Sequence, residues 1–165
     1  MGVEAAGVPS MVATTKGAPM AEKKRTDADA DGFSAAEKKA MKERAAELRA
    51  AKKGEAAEAD VLAKIAEMSD ADRAIAEGLH ALVKDVVPEF ACKTWYGFPA
   101  YLKGKDIVVF FQPAAKFGTR YSTLGFNDSA VLDDGDMWPT AYALTTWDQA
   151  VEKQVRALLV RAFGA

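Results

Sequence analysis

The sequence contains very little of the chemistry on which many catalytic and metal sites depend. Its 165 residues include one cysteine, Cys92, and one histidine, His80. A single cysteine excludes an intrachain disulfide, and no Cys or His spacing matches a zinc site. No glycine-rich phosphate loop is present. A dyad of His80 and Cys92 has no third group to orient it, so no catalytic residue is predicted.

Long apolar runs and a large excess of one charge are also lacking. No stretch approaches the roughly 18 apolar residues of a membrane span, and no N-terminal run suits a secretory signal. We therefore expect a cytoplasmic protein with no membrane partner. The formal net charge of −2 argues against a general nucleic-acid-binding protein. This charge is uneven, being +3 over residues 1–53 and −5 over residues 54–165.

The first third of the chain is predicted to be a tail followed by a basic leader helix. Residues 1–32 mix small and charged residues without periodicity, which is typical of disorder, and Met1, Met11 or Met20 could be the true start. Ser34 and Glu37 form a capping box that opens the leader helix, residues 33–54. A solvated helix is one interpretation, and contact with nucleic acid or an acidic partner is the other.

The rest of the chain, residues 55–165, predicts one α+β domain. Apolar residues at helical spacing predict helices from Glu58 to Met68, from Ser69 to just before Pro88, and from Thr146 onward. Strands are predicted near 94–96, 98–102, 107–112, 119–126 and 140–144. The predicted architecture is a two-layer sandwich in which an antiparallel sheet of about four to six strands packs against helices.

One predicted hairpin divides the aromatic residues between two faces. With Gly104-Lys105 as the loop, Lys103 lies opposite Asp106 and Phe98 opposite Phe111. Alternation then gives an apolar core face made of Phe98, Ala100, Leu102, Ile107, Val109 and Phe111. The opposite face comprises Trp95, Pro99, Tyr101, Val108, Phe110 and Gln112. That second face needs a covering, which is the rest of the chain, a partner subunit or a ligand.

Two groups of residues are candidate binding sites. The first is a carboxylate cluster in one predicted loop: Asp128, Asp133, Asp134 and Asp136. It could hold a metal ion through hard oxygen ligands, or serve only as an acidic turn. The second is an aromatic face with a basic rim: Lys93, Trp95, Tyr101, Phe110, Lys116 and Arg120. Its cations could bind an anion, or pair with aspartates of the same chain.

The segment Lys93-Thr94-Trp95-Tyr96-Gly97-Phe98-Pro99-Ala100-Tyr101 resembles the signature of the YdhG-like domain-of-unknown-function family, which includes bacterial frataxin-like iron chaperones. The resemblance continues through residues 110–112, 116–121, 123–126 and 133–140, and the helix 33–48 resembles a leader found in one branch. It therefore covers nearly everything after residue 32.

The resemblance implies a small two-layer α+β domain and a function. The implied function is that of a cytosolic, non-catalytic iron-chaperone-like protein with a weak, transient iron site and an iron-acceptor protein as partner. Asp133, Asp134 and Asp136 are the first candidates for that site. The alternative is a non-enzymatic module that binds a small anionic ligand or a protein through the aromatic face. A homodimer and an enzyme of unrecognised type are left open.

Overall fold

The computed structural model describes residues 32–165, and the chain divides into two units between Leu48 and Arg49. The predicted tail lies outside the described residues except for Gly32. The described elements, in chain order, are α1 (Ala35–Ala66), α2 (Asp70–Val86), β1 (Ala91–Trp95), β2 (Phe98–Lys103), β3 (Asp106–Gln112), α3 (Ala114–Phe117), β4 (Ser122–Phe126), β5 (Ala141–Leu144) and α4 (Gln149–Phe163).

Helix α1 is continuous where two helices were predicted. The capping box is confirmed, because the Ser34 amide donates to Glu37 at 2.6 Å and the Glu37 amide donates to Ser34 at 3.2 Å. The predicted break at Gly54 is wrong, since this glycine lies inside the helix with open space around it. One exposed glycine costs a helix only about 1 kcal/mol relative to alanine, which the surrounding strong helix formers offset.

The later helices begin with side-chain caps. Ser69 caps α2 as predicted, accepting a hydrogen bond from the Asp72 amide. Helix α4 is capped by Asp148, which accepts from the Val151 amide at 2.8 Å, so the predicted start at Thr146 is two residues early. Aspartate and threonine both serve as N-caps, so residue type alone does not exclude either position.

The strands form one antiparallel sheet in the order β1-β2-β3-β4-β5, so each strand pairs with its neighbour in sequence. This confirms the predicted α+β class and the predicted antiparallel sheet. The hairpin loop is also confirmed, since Lys103 pairs with Asp106 and Gly104 takes a φ of 63°.

The predicted register holds only at the tip of this hairpin. Leu102 pairs with Ile107 as expected, but the register then shifts, and Tyr101 pairs with Val109. Val108 is therefore the extra residue of a β-bulge. A slip of one residue moves every side chain beyond it to the other face, so the predicted assignment of Phe98 and Ala100 to the core face is wrong.

The corrected faces have different coverings. We call the side that packs against helices the helix face; it carries Tyr101, Val109, Phe111 and Leu124, all fully buried. Helices α2 and α4 and the C-terminal part of α1 supply the other half of this core: Val61, Ile65, Ile75, Leu79, Leu82, Val83, Val155, Leu159 and Phe163. We call the opposite side the ring face; it carries Lys93, Trp95, Phe98, Ala100, Phe110, Gln112, Thr123, Gly125, Ala141 and Ala143.

Within residues 32–165, no helix combines the length and the apolar character that crossing a membrane requires.

Candidate binding site

Five aromatic side chains meet at one end of the ring face and form what we call the ring cluster: Trp95, Tyr96, Phe98, Phe110 and Phe117. Phe98 is its centre, with ring centroids 5.8 Å from those of Trp95, Phe110 and Phe117. Phe98 is 4% exposed, whereas Tyr96 is 74% and Phe117 43% exposed. The cluster therefore covers its own centre and leaves its outer rings in solvent.

The Phe110 ring owes its position to a glycine on the neighbouring strand. Phe110 pairs with Gly125, and a Cβ added at Gly125 would overlap the ring. The absence of a side chain there makes room for the tip of the Phe110 ring over β4. The centre of this ring lies 5.3 Å from that of Trp95. Ala141, opposite Gly125 on β5, continues this small-residue strip and is exposed.

A two-residue turn joins β1 to β2 and carries the most exposed ring of the cluster. Trp95 pairs with Phe98, and the two residues between them both have positive φ, 49° at Tyr96 and 74° at Gly97. This is the backbone of a type I′ hairpin turn, which favours Asn-Gly. Tyr96 is the sole non-glycine residue with positive φ in the described part of the chain.

A lysine from α3 lies beside this turn. The Lys116 ammonium donates a hydrogen bond to the Tyr96 carbonyl at 3.0 Å, and the same nitrogen lies 5.7 Å from the centre of the Phe117 ring. A Cβ at Gly97 would overlap the Lys116 ammonium. The glycine therefore serves both the turn and the close approach of this cation to the backbone.

A buried carboxylate from α2 positions the segment that carries Lys116. Asp72 accepts hydrogen bonds from the backbone amides of Ala114 and Ala115, at 3.2 and 3.0 Å, and from the hydroxyls of Ser122 and Ser69, at 2.6 and 3.0 Å. Burial acts to raise the pKa of Asp72, but these hydrogen bonds outweigh it and hold the pKa below the usual value. The start of α3 is thus fixed to the first turn of α2.

The described part of the chain gives the cations of the predicted basic rim no carboxylate partners. Among residues 32–165, the ion pairs include neither Lys93 nor Lys116 nor Arg120. The Arg120 guanidinium lies 5.4 Å from the centre of the Tyr121 ring, in the connection between α3 and β4. The expected alternative, pairing of these cations with Asp106 or Asp134, is therefore not what the structure shows.

Lys93 lies on the ring face but borders a different depression. With Lys105, Asp106 and Asp128 it lines a groove of about 550 Å³ near the opposite end of the sheet. The charges of this groove are mixed, and its lining includes no residue of the ring cluster.

Tyr101 does not belong to the candidate surface, contrary to the prediction. It lies on the helix face, fully buried, and its hydroxyl is 3.1 Å from Nδ1 of His80. The other ring nitrogen of His80 is 3.1 Å from Glu58, which also accepts a hydrogen bond from Lys84 at 2.6 Å. Both contacts lower the pKa of Glu58, and the hydrogen bond from Lys84 has the larger effect. Burial, with Cys92 and Glu58 nearby, raises the pKa of Tyr101.

The sequence offered no orienting group for His80, and the structure supplies Glu58. The geometry still does not make a catalytic dyad, because His80 bonds Tyr101 and Glu58 rather than Cys92. Burial, and then the charge of Glu58, raises the pKa of the Cys92 thiol to about 11, although Lys84 acts in the opposite direction. The thiol is therefore protonated at neutral pH and is a poor nucleophile.

The predicted acidic loop is spread along an exposed connection. Asp128 and Asp133 border one cavity of about 380 Å³, together with Asn127, Trp138 and Thr140, while Asp134 and Asp136 do not line it. All four carboxylates are exposed. Within residues 32–165, no three His, Cys, Asp or Glu side chains are grouped closely enough to hold a metal ion.

The structure thus brings together Trp95, Phe110 and Lys116, and it adds three residues that the sequence reasoning missed: Tyr96, Phe117 and Asp72. A signal existed for Tyr96, because Gly97 alone separates the strands predicted at 94–96 and 98–102, and so short a gap requires a turn that takes in a neighbouring residue. The signal for Asp72 was weaker. Its place in the first turn of α2 suggests a role in capping that helix but does not indicate its hydrogen bonds to the start of α3.

No protein-family model matches this chain, and comparison with curated proteins and with solved structures found no significant match. The resemblance to the YdhG-like family stays a prediction.

Proposed function

We propose that this protein is a non-catalytic module that binds an anionic ligand at the ring cluster. The observation that carries the proposal is that Lys116 and Arg120 make no ion pair within residues 32–165 while exposed rings lie beside them. Unpaired cations attract anions, and exposed aromatic rings supply apolar contact area to the same ligand. A ligand with both properties suits this end of the sheet.

The position of Lys116 is also set before any ligand arrives. The two residues before it, Ala114 and Ala115, are hydrogen-bonded to Asp72, and its ammonium is held near the turn by the Tyr96 carbonyl. A lysine held in this way loses less conformational freedom on binding than a free one does. One hydrogen bond to the carbonyl leaves two further N–H donors on the ammonium for an anion.

The proposal can be tested with 1-anilinonaphthalene-8-sulfonate, a fluorescent aromatic sulfonate, titrated into the native protein. Replacing Lys116→Gln and Arg120→Gln removes both charges, and the amide introduced by Lys116→Gln keeps a donor for the Tyr96 carbonyl. We expect affinity to fall about two- to thirtyfold, from two exposed charge contacts of about 0.2–1 kcal/mol each. The matched control is Lys153→Ala, which removes an exposed lysine from α4. Unchanged affinity in the double variant, or no binding by the parent, refutes the proposal.

Iron carriage at the acidic loop, implied by the family resemblance, is a second proposal. One observation favours it: Asp128 and Asp133 line the same cavity, where Asn127 and Thr140 add further oxygen atoms. Iron(II) titration should then show weak binding that Asp128→Ala with Asp133→Ala reduces. The control is Asp134→Ala with Asp136→Ala, a pair outside the cavity. Equal losses from both pairs, or no binding at all, would count against this site.

A further inference from the structure

Tyr96 occupies a backbone conformation that disfavours its side chain. Its φ of 49° lies in the left-handed region, where a bulky residue is an outlier. Asparagine or glycine would fit the first position of this two-residue turn with less strain. A tyrosine here therefore points to a use for its ring that offsets the backbone cost.

Packing within the domain uses only a small part of that ring. The ring centroid lies 5.1 Å from Trp95 and 6.3 Å from Phe98, yet the residue is 74% exposed. Tyr96 thus contacts the edge of the ring cluster while most of its surface meets solvent. A strained, mostly exposed ring supported from one side is suited to stacking against a planar group from outside.

A lysine is hydrogen-bonded to the backbone of the residue that carries this ring. Lys116 reaches the Tyr96 carbonyl, and Phe117 at the end of α3 adds an exposed ring. Tyr121 adds another exposed ring, beside Arg120 on the connection to β4. Exposed rings interleaved with unpaired cations are the features by which proteins hold single-stranded nucleic acid, bases stacking on rings and phosphates pairing with cations.

Resting on the proposed function, we infer that the anionic ligand is a short single-stranded nucleic-acid segment, one base of which stacks on Tyr96. A free small anion suits the surface less well. The cavity of about 330 Å³ beside Lys116 is also lined by Glu67 and Asp72, and these carboxylates repel an anion. A strand instead gains affinity from several open contacts in series. The net charge of −2 agrees with a few phosphate contacts and not with a general polyanion binder.

The test uses the whole chain and a fluorescently labelled oligodeoxythymidylate of about 12 nucleotides, with binding followed by anisotropy at low salt. Tyr96→Asn removes the ring and relieves the backbone, and Tyr96→Phe keeps the ring. We expect Tyr96→Asn to weaken binding at least about fivefold and Tyr96→Phe to bind like the parent. The Tyr96→Asn chain should unfold at the same or a higher denaturant concentration, which separates lost stacking from lost structure.

Salt dependence measures the phosphate contacts separately. Lys116→Gln with Arg120→Gln should flatten the plot of log affinity against log salt by about 0.7 for each phosphate that the variant no longer neutralises. Tyr96→Asn should leave that slope unchanged, since it removes no charge. The same flattening in Tyr96→Asn would mean that the ring acts only by placing Lys116, and it would overturn the stacking role.

The remaining outcomes distinguish this inference from the proposed function. If the aromatic sulfonate binds but the oligonucleotide does not, the nucleic-acid inference is wrong and the proposed function stands. If adenosine monophosphate binds as tightly as the oligonucleotide, the ligand is a free nucleotide and the inference of a strand is wrong. If the protein does not bind the oligonucleotide but forms a concentration-dependent dimer that Tyr96→Asn abolishes, the inference is wrong. The exposed rings then contact a second copy of the chain. Failure of both probes removes both proposals.

Discussion

The hydroxyl of Tyr101 lies 3.1 Å from Nδ1 of His80, a contact that joins strand β2 to helix α2. Glu58 of α1 contacts the other nitrogen of His80 at 3.1 Å, so three elements meet in one chain of hydrogen bonds. A neutral imidazole satisfies both contacts when Nε2 donates to Glu58 and Nδ1 accepts from Tyr101. Tyr101 is fully buried and His80 is 6% exposed, so water is poorly placed to replace either partner.

Tyr101→Phe should therefore destabilise the protein. The substitution keeps the ring but leaves Nδ1 of His80 buried without a partner, which costs about 1–3 kcal/mol. Urea unfolding followed by circular dichroism measures the change. Tyr142→Phe is the matched control, because the structure gives the Tyr142 hydroxyl no hydrogen bond within residues 32–165 and its ring keeps the edge contact with Phe126. Equal stabilities for the two variants would mean that the His80 contact contributes nothing.

Acid should destabilise the protein partly through Asp72. Its pKa is lowered in the folded state, so the stability that its ionised form contributes is complete above the usual value near 3.8. That contribution is lost as the pH falls further, toward the lowered pKa of the folded state. The pKa of Glu58 is also lowered in the folded state, so its contribution to stability is likewise lost as the pH falls below about 4.5.

Asp72→Asn isolates the part due to Asp72. The neutral amide can accept through only one atom, so the variant should be less stable at pH 7, by about 1–3 kcal/mol. The difference between parent and variant should then shrink as the pH is lowered from 5 to about 2. Urea unfolding at several pH values checks this. A difference that stays constant over the range would show that the charge of Asp72 is not involved.

Most parts of the fold that local sequence governs were predictable, the break at Gly54 and the first residue of α4 excepted. The parts that depend on a distant strand or loop were not. Ser34, Ser69 and Gly104 act within a few residues of themselves, and their caps and turn were predicted correctly. The bulge at Val108 depends on how two strands pair along their length, which alternation cannot reveal. That single extra residue moved Tyr101 to the helix face.

The candidate site was predictable in the same partial way. Trp95, Phe110 and Lys116 could be named from composition and position, because aromatic residues are concentrated between β1 and β4 and Lys116 lies among them. The role of Tyr96 rests on a φ value, and that of Asp72 rests on contacts with residues 42 and 43 positions away. Neither kind of information is present in a pattern of residue types.

Cys92 should react slowly with alkylating reagents while the protein is folded. The residue is 7% exposed, and burial with the nearby Glu58 charge raises its pKa to about 11, so little thiolate forms at neutral pH. Iodoacetamide labelling followed by mass spectrometry should show labelling in concentrated guanidinium chloride and little without it. The labelling rate of the folded protein should rise with pH toward 11. Rapid labelling of the folded chain at pH 7 would contradict the buried, protonated thiol.

Gly125→Ala should disturb the ring cluster from a strand that contributes no ring to it. The new methyl group would overlap the Phe110 ring, so either the ring or the strand must move, at a cost of about 1–3 kcal/mol. Because Phe110 lies 5.3 Å from Trp95, near-ultraviolet circular dichroism should change as well. Gly54→Ala is the control, since nothing lies within 4 Å of the added Cβ and helix α1 should only become more stable.

A second substitution shows whether the Phe110 ring is the cause. Phe110→Leu in the Gly125→Ala background replaces the ring with a smaller side chain, and part of the lost stability should return. Phe110→Leu alone should lower stability, because it leaves Phe98 and Trp95 less covered. The two changes should therefore be non-additive, as expected for residues in direct contact. Additive effects would place the strain of Gly125→Ala elsewhere in β4 and remove the steric link between Gly125 and the ring cluster.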